Sequence, residues 1–565
     1  MGRLSQPSPV CDGAEGNELC VIGYHYTRMS GSDLTLTPFL QRAARLYPET
    51  ELVTRTDDGV HRYTYADYAA RTAQLAHALD DHGVERRDRL ATVCFNHYRH
   101  FEIYFGVPGI GAQYHTVNPF LPDHHVDYIV DDAEDRWVFV DAPVVEQLEG
   151  ALADETADAV EQFVVVGDEV PATSLEPITT YETLIEGYPT DYDWPDVDED
   201  LPAGMCYTSG TTGRPKGVEY THKMLWAHVM ASLTPQGYHV DDRETVMSGV
   251  PMFHVNAVDS PFFSAAAGAK QVFAGRSPDP EDYVELLVEE GVTLFFAVPA
   301  ICLGIIEHVE EHDVDLSTFD RIQIGADSVS KSLVDRFEAR GVEVIHGWGA
   351  TEALPLTTAS HPKPEMETWS ASRRREKQMK IGLPLPGVEC RVVDEDGDPV
   401  PWDGESLGEL HVRGPWITTE YHGRPDATES GFEDGWFLTG DVVTVDPDGF
   451  MDLVDRETYL IKSGGEWISS MELETAIEGH SAVESAVVVG VDDERWGQRP
   501  VAYVIPADGD TTDDRAESLT PLLEAHVEEE FPAWWVPDEF VYVGEIPRTA
   551  TGKADKQTLA RRYEA

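Results

Sequence analysis

Along residues 37–48 (TPFLQRAARLYP) apolar side chains recur at helical spacing, and they do so again over 66–84 (ADYAARTAQLAHALDDHGV), so both stretches are predicted helices. Short β-rich runs follow at 88–95 (DRLATVCF), 135–141, 161–167, 245–250, 270–275, 321–326 and 342–349 (VEVIHGWG). Strands alternating with helical segments predict an α/β sheet domain over about residues 30–380. The pattern changes over 386–455. There PGVECRVVDEDGDPV, GELHVRG and VVTVDPDGFMDLVD alternate apolar and polar positions around DG turns, as antiparallel hairpins do. Beyond Arg456 a compact segment reads strand (SAVVVGV, PVAYVIP), helix (LTPLLEAHVEEEF) and strand again (EFVYVGEI). Residues 190–201 (TDYDWPDVDEDL) are acidic and contain proline, and are expected to form a solvated link.

A chain of 565 residues is too long for one core, and 41% hydrophobic residues suit a folded protein. Charge changes the picture more. Lys+Arg 41 against Asp+Glu 104 leaves a net −63, with the acids spread along the whole chain. Such a surface repels nucleic acid and anionic membranes. It suits molar salt, where the Debye length is about 3 Å and carboxylates hardly repel one another. The ten lysines begin only at Lys216, and three of them (Lys216, Lys462, Lys553) stand in Gly- or Thr-rich stretches. The others, such as Lys270, Lys331 and Lys377, are expected at the surface or in local pairs. Six dispersed cysteines form no CxxC and no zinc spacing, which predicts a reduced compartment and no structural metal. The N-terminal stretch lacks a basic-then-apolar signal pattern, and the most apolar run, 292–306, is too short to span a bilayer. A cytoplasmic protein without a transmembrane segment is expected.

The densest chemistry lies at 206–219, CYTSGTTGRPKGVE. Its glycines and hydroxyls can wrap a polyphosphate, and Arg214 and Lys216 supply charge. It is not the kinase or GTPase P-loop: counting from Gly210, the required second glycine falls on Pro215, and Lys216 precedes Gly217 rather than Ser or Thr.

YTSGTTGRPKG resembles the phosphate loop of the ATP-dependent adenylate-forming superfamily of acyl-CoA synthetases, firefly luciferases and peptide-synthetase adenylation domains. Four further stretches resemble that group's motifs in its order: HGWGATE (346–352), FLTGDVV (437–443), VDRETYLIKSGGEWISSMELE (454–474) and PRTATGKADK (547–556). The resemblance implies an α/β fold: a large N-terminal domain (1–455) of α/β subdomains plus a small antiparallel β-subdomain. A small mobile α+β C-terminal domain (456–565) carries Lys462 and Lys553. It also implies the reaction. A carboxylate attacks the α-phosphate of ATP, giving acyl-adenylate and pyrophosphate, and a thiol, usually coenzyme A, then displaces AMP. Neither step needs a protein nucleophile, so the protein must position anions and neutralise developing charge.

Carried over residue by residue, Thr208, Ser209, Gly210, Thr211, Thr212, Gly213 and Lys216 cradle phosphates. Glu352 resembles the Mg²⁺ carboxylate, with the Thr208 and Thr351 hydroxyls near metal and phosphate. Trp348, where the family more often has Tyr, offers a face to adenine beside Ala326, His346 and Gly347. Asp441 takes the ribose hydroxyls, and Arg456 the ribose or α-phosphate. Lys553 touches the α-phosphate during adenylation; at 4 Å and an effective dielectric near 20 one such contact is worth about 4 kcal/mol. Lys462 approaches the adenylate in the thioester step, with Gly464 and Gly465 admitting the pantetheine arm. The two lysines act in different half-reactions because the C-terminal domain rotates near residue 458, where Thr458 replaces the family's Asp or Lys.

PMFHVNA (251–257) resembles the acyl-pocket segment and places His254 between the adenylate and the acyl or pantetheine channel. SGGEWISS, VPMFHVNA and GELHVRGPWIT are most similar to medium- and long-chain fatty-acid–CoA ligases, some of which are homodimers. Long-chain relatives often place Trp after HVNA as a tunnel gate. Val258 here implies a tunnel that stays open or closes differently. Rival readings are a ligase for short or aryl acids, luciferase-like oxygenation, and a silent acyl-nucleotide binder.

Overall fold

The computed structural model describes residues 33–208, 214–325, 329–464, 466–493, 495–548 and 554–564. Two mainly parallel sheets carry most of the chain. One has nine strands, with Glu51–Thr56, Thr245–Ser248, Lys270–Phe273, Leu294–Ala297, Arg321–Ile324 and Glu343–Trp348 running parallel and short antiparallel strands at both edges. The other has seven strands in the order 178–180, 162–166, 137–141, 89–93, 113–116, 202–207, 217–221. Central strands such as Trp137–Asp141 are buried along their whole length, because helices cover both faces, and so read as continuous apolar runs rather than alternating ones.

The two sequence-predicted helices form at Thr37–Leu46 and Tyr65–Asp81. The second starts where Thr64 accepts the Asp67 backbone N–H and Asp67 accepts that of Thr64, a reciprocal cap. The change of pattern after 386 is an antiparallel five-stranded sheet whose central members are Gly408–Arg413 and Trp436–Val445. Beyond it a separate five-stranded sheet built on Val483–Asp493 and Gly497–Pro506 packs helices Ser470–Glu478 and Asp513–Glu530 over a core of Ile461, Leu473, Val488 and Leu523.

The 190–201 segment is a loop whose acids Asp191, Asp193, Asp196, Asp198 and Asp200 are exposed, as expected, and it is also tethered. Tyr192 donates to Asp80, and the Trp194 ring lies so close to Gly109 that a Cβ there would sit 2.3 Å from it. Of the two settings expected for Lys377, surface or pair, the structure shows the pair. The lysine is 4% exposed and paired with Asp446 and Asp448, because its helix, Ala371–Gln378, turns it inward. Among the described residues no helix is long and apolar enough to cross a membrane.

Candidate active site

The Gly-rich loop joins Pro202–Tyr207 to the edge strand Gly217–Thr221, and the two strands pair antiparallel. Its ends are sealed together: the Thr208 N–H donates to the Lys216 carbonyl at 2.9 Å, and the Lys216 N–H to Thr208 Oγ1 at 3.4 Å. Ser209 to Gly213 lie outside the described residues, as do Ala326, Gly465 and Lys553. The Lys216 ammonium sits 4.1 Å from the centre of the Tyr421 ring. Burial lowers its pKa; Glu352 opposes that shift and Arg424 adds to it.

Glu352 follows the buried strand Glu343–Trp348 and is itself buried. Its Oε1 accepts the Tyr421 hydroxyl at 2.6 Å, and its carbonyl accepts the Thr418 N–H at 2.8 Å. Burial and the Glu352 carboxylate together push the Tyr421 phenol far up, so it stays a donor. The Thr351 carbonyl accepts from the Tyr220 hydroxyl at 2.8 Å, tying this segment to the strand after the phosphate loop. A carboxylate with one oxygen engaged by a neutral phenol suits a hard cation that keeps its water or phosphate ligands.

Strand register brings the remaining candidate residues together. Asp441 pairs opposite Arg456 in the antiparallel sheet, and Arg456 Nε lies 3.0 Å from Asp441 Oδ1. The Trp348 indole N–H donates to Asp441 Oδ2 at 2.9 Å. His346 is pinned by its backbone N–H to Ser360 Oγ at 2.9 Å and through Nδ1 to the Met379 carbonyl at 2.8 Å. At Gly347 the neighbours are close: a Cβ would meet Gln323 Nε2 at 2.7 Å and the Thr358 carbonyl oxygen at 3.1 Å.

His254 opens a turn of unusual geometry. Val255, Asn256, Ala257, Val258 and Asp259 all have positive φ, between 40° and 59°. Non-glycine residues avoid this left-handed region, and β-branched ones most of all. A buried polar network holds the turn. Asn256 Oδ1 accepts from the Tyr114 hydroxyl at 3.1 Å and lies 3.8 Å from Cys206 Sγ, while its Nδ2 donates to Asp259 Oδ1 at 3.0 Å. Asp259 Oδ2 in turn lies 2.7 Å from His228 Nδ1, with neither side chain exposed. Val258 is buried at this turn.

Lys462 and Gly464 lie elsewhere. Lys462 is half-exposed, 3.6 Å from Glu395 and 4.5 Å from the Trp467 ring centre. It is paired with the β-subdomain rather than with the Glu352 and Asp441 groups. Gly464 has φ +64°, and a Cβ there would meet the Trp496 ring at 2.9 Å. Thr458 is exposed in the turn after Arg456. At this junction the fully buried Asp455 accepts the Ser470 N–H at 2.7 Å and its hydroxyl at 2.6 Å, and Lys556 reaches Ser470 Oγ at 2.6 Å and Glu474 at 2.8 Å.

Sequence reasoning missed Tyr421, Asn256, Asp259, His228 and Asp455. Tyr421 and Asp455 stand close to recognised motifs, but only the fold shows which acid or helix end each one serves. His228 carries no local signal at all.

This fold, with the phosphate hairpin, the buried glutamate and the clamped Asp441, is that of an AMP-forming, acid-activating enzyme of the acyl-CoA ligase class. The chain belongs to the AMP-binding enzyme family, whose model matches residues 40–422; the AMP-binding enzyme C-terminal domain matches 472–553. It is 41% identical to a long-chain-fatty-acid–CoA ligase of Thermus thermophilus, covering 95% of this chain and 97% of the relative. It is 37% identical to a 3-methylmercaptopropionyl-CoA ligase of Ruegeria lacuscaerulensis, covering 95% and 98%. The crystal structure of an anthranilate CoA ligase with anthranoyl-AMP superposes with a TM-score of 0.83 at 23% identity, over 95% of this chain and 98% of that one.

Proposed function

We propose that this protein is a fatty-acid–CoA ligase that activates medium- or long-chain carboxylates with ATP and passes them to CoA, releasing AMP and pyrophosphate. The observation that carries this reading is the continuity between the phosphate loop and the His254–Asp259 turn. Asn256 contacts Cys206, two residues before Thr208, so the turn that carries His254 and Val258 packs against the strand that leads into the phosphate loop. In this reading a fatty carboxylate held beside that turn presents its head group to the α-phosphate.

In this scheme Asp441, oriented by Trp348 and Arg456, holds the ribose hydroxyls. Lys216 and the Thr208 loop hold the outer phosphates. Glu352, with Thr208 and Thr351, is the place for Mg²⁺, which would neutralise phosphate charge. Lys553 serves adenylation. Lys462 serves the thioester step after the segment from 456 onward rotates about the turn at Thr458. The 37% identity to a ligase named for a short thioether acid supports short acids as a second reading.

The test is AMP formation in 2 M KCl with Mg-ATP and acids of two to eighteen carbons, with and without CoA. CoA-dependent turnover is expected to peak at eight carbons or more; a peak at acetate, propionate analogues or benzoate would overturn the fatty-acid assignment. In the same assay Lys553→Ala is expected to lose adenylation but still convert supplied acyl-adenylate to thioester, and Lys462→Ala the reverse. Loss of the same half-reaction in both would sink the two-lysine scheme.

A further inference from the structure

Metal-binding side chains gather in several places among the described residues, and hydrogen bonds decide which of them can ligate. Cys94, His97 and Asp141 hold their ligand atoms within 4.8 Å of one another. There the His97 Nδ1 accepts the His100 N–H at 3.0 Å, so Nε2 carries the proton and donates it to Asp141 Oδ1 at 2.8 Å. Burial, with Asp141 beside it, pushes the Cys94 thiol far up, so the sulfur stays protonated as well. A ligand must offer a deprotonated sulfur or a bare imidazole nitrogen, and this trio offers neither. The ring centres of His480 and His526 lie 5.3 Å apart, but His480 Nδ1 accepts the Ala482 N–H at 3.2 Å, which again leaves the proton on Nε2. His124 and His125 are consecutive in the helix Asp123–Asp132, so no one face carries both.

His308 and His312 differ on each count. They stand four residues apart near the end of the helix Pro299–His312, and so share a face. Their ring centres are 4.2 Å apart, with the planes inclined by 25°. His312 Nδ1 lies 3.0 Å from the His308 carbonyl oxygen. A carbonyl can only accept, so Nδ1 holds the proton and Nε2 keeps its lone pair. Metal-ligating imidazoles are oriented in this manner, the second ring nitrogen donating to a backbone carbonyl or carboxylate. His312 is exposed and His308 half-buried. Glu310, between them in sequence, is turned to Arg336 and Arg340 on the neighbouring helix, while Glu307, Glu311 and Asp313 are exposed and make the surroundings attractive to a cation.

We propose that His308 and His312 together chelate one divalent ion of the imidazole-seeking class, such as Ni²⁺ or Zn²⁺. Imidazole suits these ions, whereas Mg²⁺ takes oxygen ligands. A metal about 2.0–2.1 Å from each nitrogen spans at most about 4 Å between them, and the two rings already stand at that separation. Among the described residues no third ligand atom gathers with the pair, so water completes the coordination. The site is therefore an open, exchangeable clasp on the last turn of the helix and not a catalytic centre. Its place in the fold agrees. The helix of 14 residues starts just after the strand Leu294–Ala297, and the Ala297 carbonyl accepts the N–H of Gly325, beside the candidate adenine residues. At 1.5 Å per residue the histidine pair stands about 20 Å from that end.

The test is calorimetric titration of the full chain, stripped of metal with a chelator and desalted, with Ni²⁺ alone and separately with Zn²⁺, at constant KCl. Excess Mg²⁺ is present throughout, so that carboxylates are occupied and imidazole binding is read. His308→Gln and His312→Gln are each expected to weaken Ni²⁺ binding at least tenfold, with acid-dependent AMP formation unchanged. His124→Gln is expected to keep wild-type affinity within twofold. Ni²⁺ is expected to raise the thermal midpoint of the wild type and to leave that of the double variant where it was. A wild-type chain that binds neither ion in excess Mg²⁺ overturns the site. So does wild-type affinity in the double variant, or loss of the binding in His124→Gln.

Discussion

Asp441 shows how one carboxylate is given a direction. One oxygen is taken by the Trp348 indole N–H and the other by Arg456, so the group is fixed before any nucleotide arrives. Trp348 was expected to offer its face to adenine; the structure adds a second task for its edge. Trp348→Phe keeps an aromatic face and removes the donor. It is expected to raise KM for ATP about tenfold, equivalent to ~1.4 kcal/mol, with little change in KM for the acid. Steady-state kinetics with each substrate varied will check this, and an unchanged KM for ATP would show that Arg456 alone orients Asp441. The importance of Asp441 was readable from its motif. The N–H that aims it was not, because Trp348 lies ninety-three residues away and only sheet packing brings the two together.

At the scale of elements, the turn 255–259 is the least expected feature. Left-handed backbone costs roughly 1–2 kcal/mol per non-glycine residue, so five in succession store several kcal/mol. That cost is met by buried polar contacts: Asn256 donates to Asp259 and accepts from Tyr114, and the His228 ring stands 2.7 Å from Asp259 Oδ2. Asn256→Ala leaves the Tyr114 hydroxyl and Asp259 Oδ1 short of a partner. It is expected to destabilise the protein by about 2–4 kcal/mol and to shift the acyl chain-length profile. Denaturant unfolding and the acid series check the two effects; loss of stability with an unchanged profile would mean that the turn does not shape the acyl site. Nothing in VNAVD announces left-handed backbone, since it contains no glycine. The ordinary elements were legible by contrast, because their cause is local. Alternation and DG turns mark the antiparallel sheet, and apolar runs mark the parallel strands.

For the whole molecule the dominant quantity is charge. A surface carrying most of 104 acids against 41 bases is self-repulsive in dilute buffer and screened in molar salt. Activity and the thermal midpoint are expected to fall together as KCl drops below about 0.5 M, where the Debye length exceeds about 4 Å. Full activity in dilute buffer would refute a salt-adapted fold.

The amino-acid sequence by itself determined the class of chemistry and the change from an α/β region to antiparallel strands after about residue 386, because hydrophobic period, turn residues and motifs are local properties of the chain; that strand 51–56 joins the sheet of 245–348 while 89–221 forms a second sheet was decided by the fold. Tertiary structure alone decided which partners those residues take: Tyr421 on Glu352, Trp348 on Asp441, Lys462 on Glu395, and two arginines on Tyr128. The reason is physical. A side chain's charge state, orientation and strain depend on groups brought beside it from distant parts of the chain, and sequence spacing carries no record of them.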